Sequence, residues 1–197
     1  MTRRSRVLII RHGRTANVHR GGLIDAAGMQ AWRDATDAVG IADDTHPPRA
    51  LVERVAKADL LIASDLPRAI ESAKRLAPGR ELTISPLFRE SNAEIPAWLP
   101  LRWPLPVWRL CTGVQWVYRI LRGRDAPPVV LERAAAGARE LSGLARDHDL
   151  IVVVCHRYFR RLLGKRLVTD GWTREPGRHS YANWSAWEYS IHPGSDA

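Results

Sequence analysis

Cysteine is scarce: only Cys111 and Cys155 occur in 197 residues, too few and too far apart for a disulfide framework. Neither has a Cys or His partner at zinc-ligand spacing, so the sequence offers no zinc site, and a reducing cytoplasm is the expected setting. Lysine is scarcer still in proportion, with 3 residues against 27 arginines. Such a skew follows from coding composition as readily as from selection for charge. Long apolar runs are missing too. After Arg3-Arg4 only Val7-Leu8-Ile9-Ile10 intervene before Arg11-His12-Gly13-Arg14. An export signal needs an apolar region of about seven residues and a small-residue cleavage site, so this start reads as the lead-in to a strand.

What remains is ordinary globular material: 45% hydrophobic and 26% charged residues in a length that favours one domain, residues 1–197. Thirty basic residues against 21 acidic ones leave a net charge of +9. A surface of that sign attracts phosphorylated metabolites, nucleic acid or anionic lipid. No nucleic-acid recognition motif accompanies it, and no specific nucleic-acid binding is expected.

Strand and helix signals alternate along the chain. Strands are expected at 6–11, 58–64, 81–86, 150–155 and 183–191. Helices are expected at 25–39 with Asp25 as N-cap, around 50–57, and at 66–76, 106–122, 128–147 and 157–167. Strands separated by helices imply a three-layer α/β/α sandwich around a mainly parallel sheet. Ligand sites in such sheets lie beyond the carboxyl ends of the strands.

Those ends carry chemistry. Arg11-His12-Gly13-Arg14-Thr15 follows the first strand and sets a histidine between two guanidiniums. Ser64-Asp65-Leu66-Pro67-Arg68-Ala69 follows the second. Arg68 stands at a helix start, where the dipole disfavours a cation unless an anion is bound nearby. Glu90, in Leu87-Phe88-Arg89-Glu90, comes just past the third strand. A carboxylate among cations stays ionised unless burial or a bound phosphate raises its pKa. His156 follows Val152-Val153-Val154-Cys155 and opens a helix bearing Arg157, Arg160 and Arg161.

Together with Gly28-Met29-Gln30-Ala31 and Asn183-Trp184-Ser185-Ala186, these stretches resemble the histidine phosphatase superfamily, the phosphoglycerate mutase-like fold. The likeness spans nearly the whole chain except about 92–127. It implies a phosphatase that hydrolyses a phosphate monoester through a phosphohistidine on His12, the ring held in one tautomer by a backbone carbonyl. It further implies Arg11, Arg68 and a protonated His156 on the phosphate oxygens, and Glu90 as the acid that serves the leaving group and then activates water. Arg14, Thr15, Asn17 and Arg157 join Arg11, Arg68 and His156 as expected phosphate or substrate contacts. No metal or cofactor is expected, and the partner is a small phosphorylated substrate. A phosphoglycerate mutase-type phosphotransferase and a catalytically silent phosphate-binding module are the alternatives.

Departures from the family pattern bear on specificity. Arg14 stands where Glu or Gln is common, and Asn17 lies one residue nearer the motif than the asparagine of many relatives. Arg157-Tyr158 replaces two small residues and crowds the expected pocket, favouring an acidic or multiply phosphorylated substrate. Cys155 replaces a common Ser or Thr.

Residues 92–127 form a Trp-, Arg- and Pro-rich insert with Trp98, Trp103, Trp108 and Trp116. They lack the Gly-x-Trp-Glu-Gly-like stretch of many mutases. Over 106–122, Val107, Leu110, Cys111, Val114, Val117, Tyr118 and Leu121 form an apolar face opposite Arg109, Thr112, Arg119 and Arg122. Prolines and arginines exclude a membrane span. A lid over the pocket, a subunit or peripheral-membrane contact through residues 98–122, and plain core packing are the three uses open to it.

Overall fold

The computed structural model describes residues 4–16, 21–91, 94–96, 101–124, 126–177 and 180–192. Asn17 and Trp98 lie outside the described residues. The chain order is β1 (Ser5–Arg11), β2 (Leu23–Ile24), α1 (Ala26–Ala38), α2 (Arg49–Val55), β3 (Leu60–Ala63), α3 (Pro67–Leu76) and β4 (Thr83–Ile84). There follow β5 (Trp103–Pro104), α4 (Leu105–Leu121), α5 (Pro128–Leu144), β6 (Leu150–Cys155), α6 (Arg157–Thr169), β7 (Thr173–Arg174) and β8 (Ala186–Ile191).

Six strands make the main sheet in the order β4-β3-β6-β1-β8-β7. β4, β3, β6 and β1 are parallel, while β8 runs antiparallel to β1 and β7 antiparallel to β8. Alternation along β1 sorts its side chains between two cores. Val7 and Ile9 join Ile151, Val153, Phe159, Leu163 and Trp187 beneath α5 and α6. Leu8 and Ile10 join Leu61, Val152, Val154, Ala69 and Leu76 beneath α2 and α3. Every one of these is buried, and each full burial of a large aliphatic is worth about 1.5–3 kcal/mol. The sheet is therefore sandwiched between helices.

Local signals place the helix starts. Asp25 caps α1, its carboxylate accepting from the Gly28 amide at 2.8 Å. Pro67 occupies the first turn of α3, where its missing N–H leaves no bond unmade. The strand expected over 81–86 contracts to Thr83–Ile84, because Pro86 has no amide to give a ladder and begins a 3₁₀ turn to Phe88.

The insert does not fold as a free excursion. β5 pairs antiparallel with β2, Leu23 opposite Pro104 and Ile24 opposite Trp103. Trp108 is fully buried, donates its indole N–H to the Ile24 carbonyl at 2.7 Å, and packs with Met29 and Leu105 in a small third core. The face of α4 that meets the protein thus carries Leu105, Trp108, Thr112 and Trp116. Of the apolar face read from the sequence, Leu110, Val114, Val117, Tyr118 and Leu121 point to solvent, and Val107 and Cys111 are partly buried. Two indoles on one side bury more surface than the smaller aliphatics on the other, and they decide how the helix rolls.

Candidate active site

Register builds the site. In the β1–β6 pair Arg11 lies opposite Cys155, so the residues that follow, His12 and His156, emerge side by side with ring centroids 5.1 Å apart. In the β3–β6 pair Ala63 lies opposite Val154, and Ser64 follows on the same edge. The α3 helix then returns Arg68 to this edge, and the turn after Phe88 delivers Glu90 to the start of α6.

His12 is buried. Its amide donates to the Cys155 carbonyl at 3.1 Å, and its own carbonyl accepts from Asn183 Nδ2 at 2.9 Å. The ring Nδ1 lies 2.6 Å from the Gly13 carbonyl, which fixes the proton on Nδ1 and leaves a lone pair on Nε2. Burial, then the Arg68 and Arg11 guanidiniums, push the ring pKa down to about 3. The imidazole is therefore neutral at any ordinary pH, the form that can attack.

His156 is fully buried and also neutral. Arg68 Nε donates to His156 Nδ1 at 3.3 Å, so the ring proton sits on Nε2 and is given to Ser64 Oγ at 2.8 Å. Burial, His12, Arg68 and Arg11 all hold its pKa well below the usual 6.5. The protonated His156 expected on a bound phosphate is thus not the form the ring holds without one. Burial away from solvent and three neighbouring basic groups outweigh any tendency to charge, until an anion arrives to reverse the balance.

The two arginines differ in what holds them. Arg68 is buried between a carboxylate and a ring: Nη2 pairs with Asp37 at 2.9 Å, Nη1 donates to the Thr36 carbonyl at 2.9 Å, and Nε meets His156. Its counter-charge at the start of α3 is Asp37, a residue the sequence did not point to. Arg11 gives one N–H to the Tyr181 carbonyl, while its Nε is buried without a hydrogen-bond partner among the described residues. Burial, and after it Arg157, pull its pKa to about 10, still high enough to keep the charge at neutral pH.

Glu90 sits where α6 begins. Its Oε1 accepts from the Ser91 and Phe159 amides, each at 3.0 Å, and Oε2 accepts from the Tyr158 amide at 3.4 Å. His156, the N-cap residue, makes no side-chain cap of its own, so Glu90 supplies one from across the site. Burial raises the carboxyl pKa in spite of those three amides and the nearby Arg68. Arg133, on α5, braces this corner by donating to Ser91 Oγ at 2.5 Å and to the Glu90 carbonyl at 3.3 Å.

Other expected contacts lie further out. Arg14 is half-exposed and ion-paired with Asp44, and Thr15 bridges backbone to Ile41. Arg157 is exposed, its guanidinium over the Tyr181 ring at 5.3 Å. Tyr158 turns away toward the insert, edge-on to Trp116 with centroids 5.4 Å apart. Gly13 is needed for packing: a Cβ there would stand 2.5 Å from Cζ2 of Trp184, and its amide is already given to Ser72 Oγ. Trp184 itself holds a left-handed φ of 61°, a strain of about 1–3 kcal/mol, and anchors the loop by donating to the Arg11 carbonyl. Among the described residues no group of three His, Cys, Asp or Glu is placed to hold a metal ion.

Sequence reasoning missed Ser64 as a ring partner, Asp37, Arg133 and the fully buried Arg160, which donates to the Ser185 carbonyl at 2.7 Å and lies 4.0 Å from the Trp187 ring centre. Ser64 carried a signal, since it follows a strand at the same edge as both histidines, and Arg160 stood in the arginine-rich helix after His156, while Asp37 and Arg133 carried none.

No family model and no curated protein matches the chain. Solved structures do. A structure described as mycobacterial hydrolase 2 aligns at a TM-score of 0.58 and 21% identity, over 98% of this chain and 86% of its own. Mycobacterial glucosyl-3-phosphoglycerate phosphatase aligns at 0.54 and 17%, over 93% and 89%. Phosphoserine phosphatase from Entamoeba histolytica, in complex with phosphoserine, aligns at 0.50 and 15%, over 84% and 80%. At such identities the likeness is one of fold: the chain has the α/β fold of these structures, phosphoglycerate mutase-like, with a mostly parallel central sheet flanked by helices.

Proposed function

We propose that this protein is a histidine phosphatase, hydrolysing a phosphate monoester by way of a phosphohistidine on His12. One observation carries the reading: a buried imidazole, kept neutral and with its Nε2 lone pair free, stands between the guanidiniums of Arg11 and Arg68. The unpaired Nε–H of Arg11 adds support, because a buried unmade donor costs about 1–3 kcal/mol, which a phosphate oxygen would recover. Arginine forks also fit phosphate oxygens two at a time.

In this mechanism His12 Nε2 attacks phosphorus while the bond to the ester oxygen breaks. Arg11 and Arg68 neutralise the equatorial oxygens, and positioning with charge neutralisation does most of the work. Glu90, whose carboxyl pKa burial raises, acts in its acid form and gives its proton to the departing alkoxide. Its carboxylate then takes a proton from water as the oxygen attacks phosphorus and the P–N bond breaks, releasing inorganic phosphate and neutral His12. His156 becomes a donor to the phosphate as the incoming dianion raises its pKa. The named substrates of the structural neighbours are small phosphorylated metabolites, and a molecule of that class is proposed here. The α4 segment serves as a wall of the pocket, since Trp116 rests on Tyr158, whose amide meets Glu90.

Incubation with a generic phosphate ester followed by a denaturing quench is expected to leave acid-labile phosphate on His12, absent from His12→Ala. No turnover and no label over a panel of esters would refute the enzyme and leave a phosphate-binding module.

A further inference from the structure

The outer face of α4 has no place in that chemistry, and it is built unlike the rest of the surface. Leu110, Val114, Val117, Tyr118 and Leu121 recur at helical spacing and all are exposed, Leu110 to 66% and Leu121 to 79%. They do not reach any core because the helix is already committed to the protein through Trp108 and Trp116 on its other side. A soluble protein seldom leaves so continuous an apolar stripe uncovered without a use for it. At the head of the helix, Leu101, exposed to 75%, and the partly exposed Trp103 extend the apolar material.

Charge identifies the occupant. Residues 101–124 contain five arginines and no acidic residue. Arg119 faces inward to Glu94. At 100° per residue, Arg122 flanks the stripe, stacked on Tyr118 at 5.2 Å, and Arg102 and Arg124 stand beyond its ends, while Arg109 lies toward the side of the helix that faces Arg11. An apolar ridge framed by cations is the form of a helix that lies in the interface of an anionic bilayer, side chains in the acyl boundary and guanidiniums among the headgroups. A second copy of the same face would set these arginines against one another. No helix among the described residues is long and apolar enough to cross a membrane, so the contact is peripheral.

We infer that α4 docks this protein on an anionic membrane surface through Leu110, Val114, Val117, Tyr118 and Leu121, with Arg102, Arg122 and Arg124 on the lipid headgroups. The assignment stands apart from the phosphatase reading, since no residue of the His12 site belongs to it.

Co-sedimentation of the full chain with vesicles of equal parts phosphatidylglycerol and phosphatidylcholine tests it, with pure phosphatidylcholine as the comparison. Binding is expected to the anionic vesicles, weakening about fivefold for each of Arg122→Gln and Arg124→Gln. It is expected to fall at least tenfold in Leu110→Ser/Leu121→Ser, whose circular dichroism should be unchanged because both side chains are exposed in the wild type. Three results would overturn the inference. One is no binding to anionic vesicles, a second is binding indifferent to these substitutions, and the third is a solution dimer that the serine pair dissolves.

Discussion

Replacing Glu90 by glutamine separates its cap on α6 from the acid role proposed for it, and the expected outcome follows from which oxygen does what. Oε1 takes the two shorter bonds, from Ser91 and Phe159 at 3.0 Å, and a carboxamide oxygen can keep both. Only the 3.4 Å contact from Tyr158 to Oε2 is lost, replaced by two opposed N–H groups. Loss of a whole cap costs about 0.5–2 kcal/mol, so Glu90→Gln should lie near the lower end of that range in a urea titration. The ionisable proton, in contrast, is gone completely, and general acid catalysis is worth about 10²–10⁴ in rate. Hydrolysis of an alkyl phosphate should fall by that factor. A nitrophenyl phosphate, whose leaving group departs as a stable anion, should slow far less. The wild-type rate on the alkyl ester should decline as pH rises through the raised Glu90 pKa, because the acid form is then consumed, and the variant should lack that limb. Equal losses on both esters, or an unchanged alkaline limb, would show that Glu90 is a helix cap and nothing more.

Trp108→Ala should cost about 3–5 kcal/mol by chemical denaturation, since it removes a fully buried indole and its bond to Ile24; a loss under about 1 kcal/mol would mean the insert is not anchored there. Gly13→Ala should cost about 1–3 kcal/mol and depress turnover, because its Cβ must displace the Trp184 indole; wild-type stability would refute the close packing. His12 and His156 stay neutral in the fold but charge below about 6.5 when unfolded, so the unfolded chain binds more protons as pH falls. Stability should accordingly drop between pH 6.5 and about 3, by up to about 1.4 kcal/mol per pH unit for each ring, partly opposed by Glu90, whose raised pKa favours the fold at acid pH. Urea titrations of wild type and His12→Asn/His156→Gln should diverge in slope over that window, and parallel slopes would contradict it.

Much of the site is legible along the chain because it lies at strand ends. Apolar runs locate β1, β3 and β6, and whatever follows each of them shares one edge. That rule alone brings His12, Ser64 and His156 together. Two-residue strands such as β2, β5 and β7 are too short to show a period, and Pro86 truncates a strand that looks longer in the sequence. The roll of α4 could not be read, because which face of an amphipathic helix is covered depends on what is offered to it. Here a pocket beside Met29 and Ile24 accepts an indole more readily than the aliphatic stripe. The neutral state of His156 in the absence of phosphate could not be read for a similar reason. Proximity to phosphate argues for a proton, while the burial that opposes it, and after it His12, Arg68 and Arg11, come from distant segments of the chain.

The pairing of β1 with β6 also has a bearing on when the protein becomes reactive. Arg6 meets Leu150 and Arg11 meets Cys155, so β1 waits for residues much later in the chain before its central ladder can close. Contacts of such sequence separation form slowly, and in a growing chain they cannot form at all until β6 has left the ribosome. His12 is made before α3 and β6, so its amide bond to Cys155, its companion ring and the arginine from α3 are all absent at that stage. Before that, His12 is an ordinary solvated histidine, and the buried, neutral setting on which the proposed nucleophile depends is acquired late, in the same event that completes the sheet.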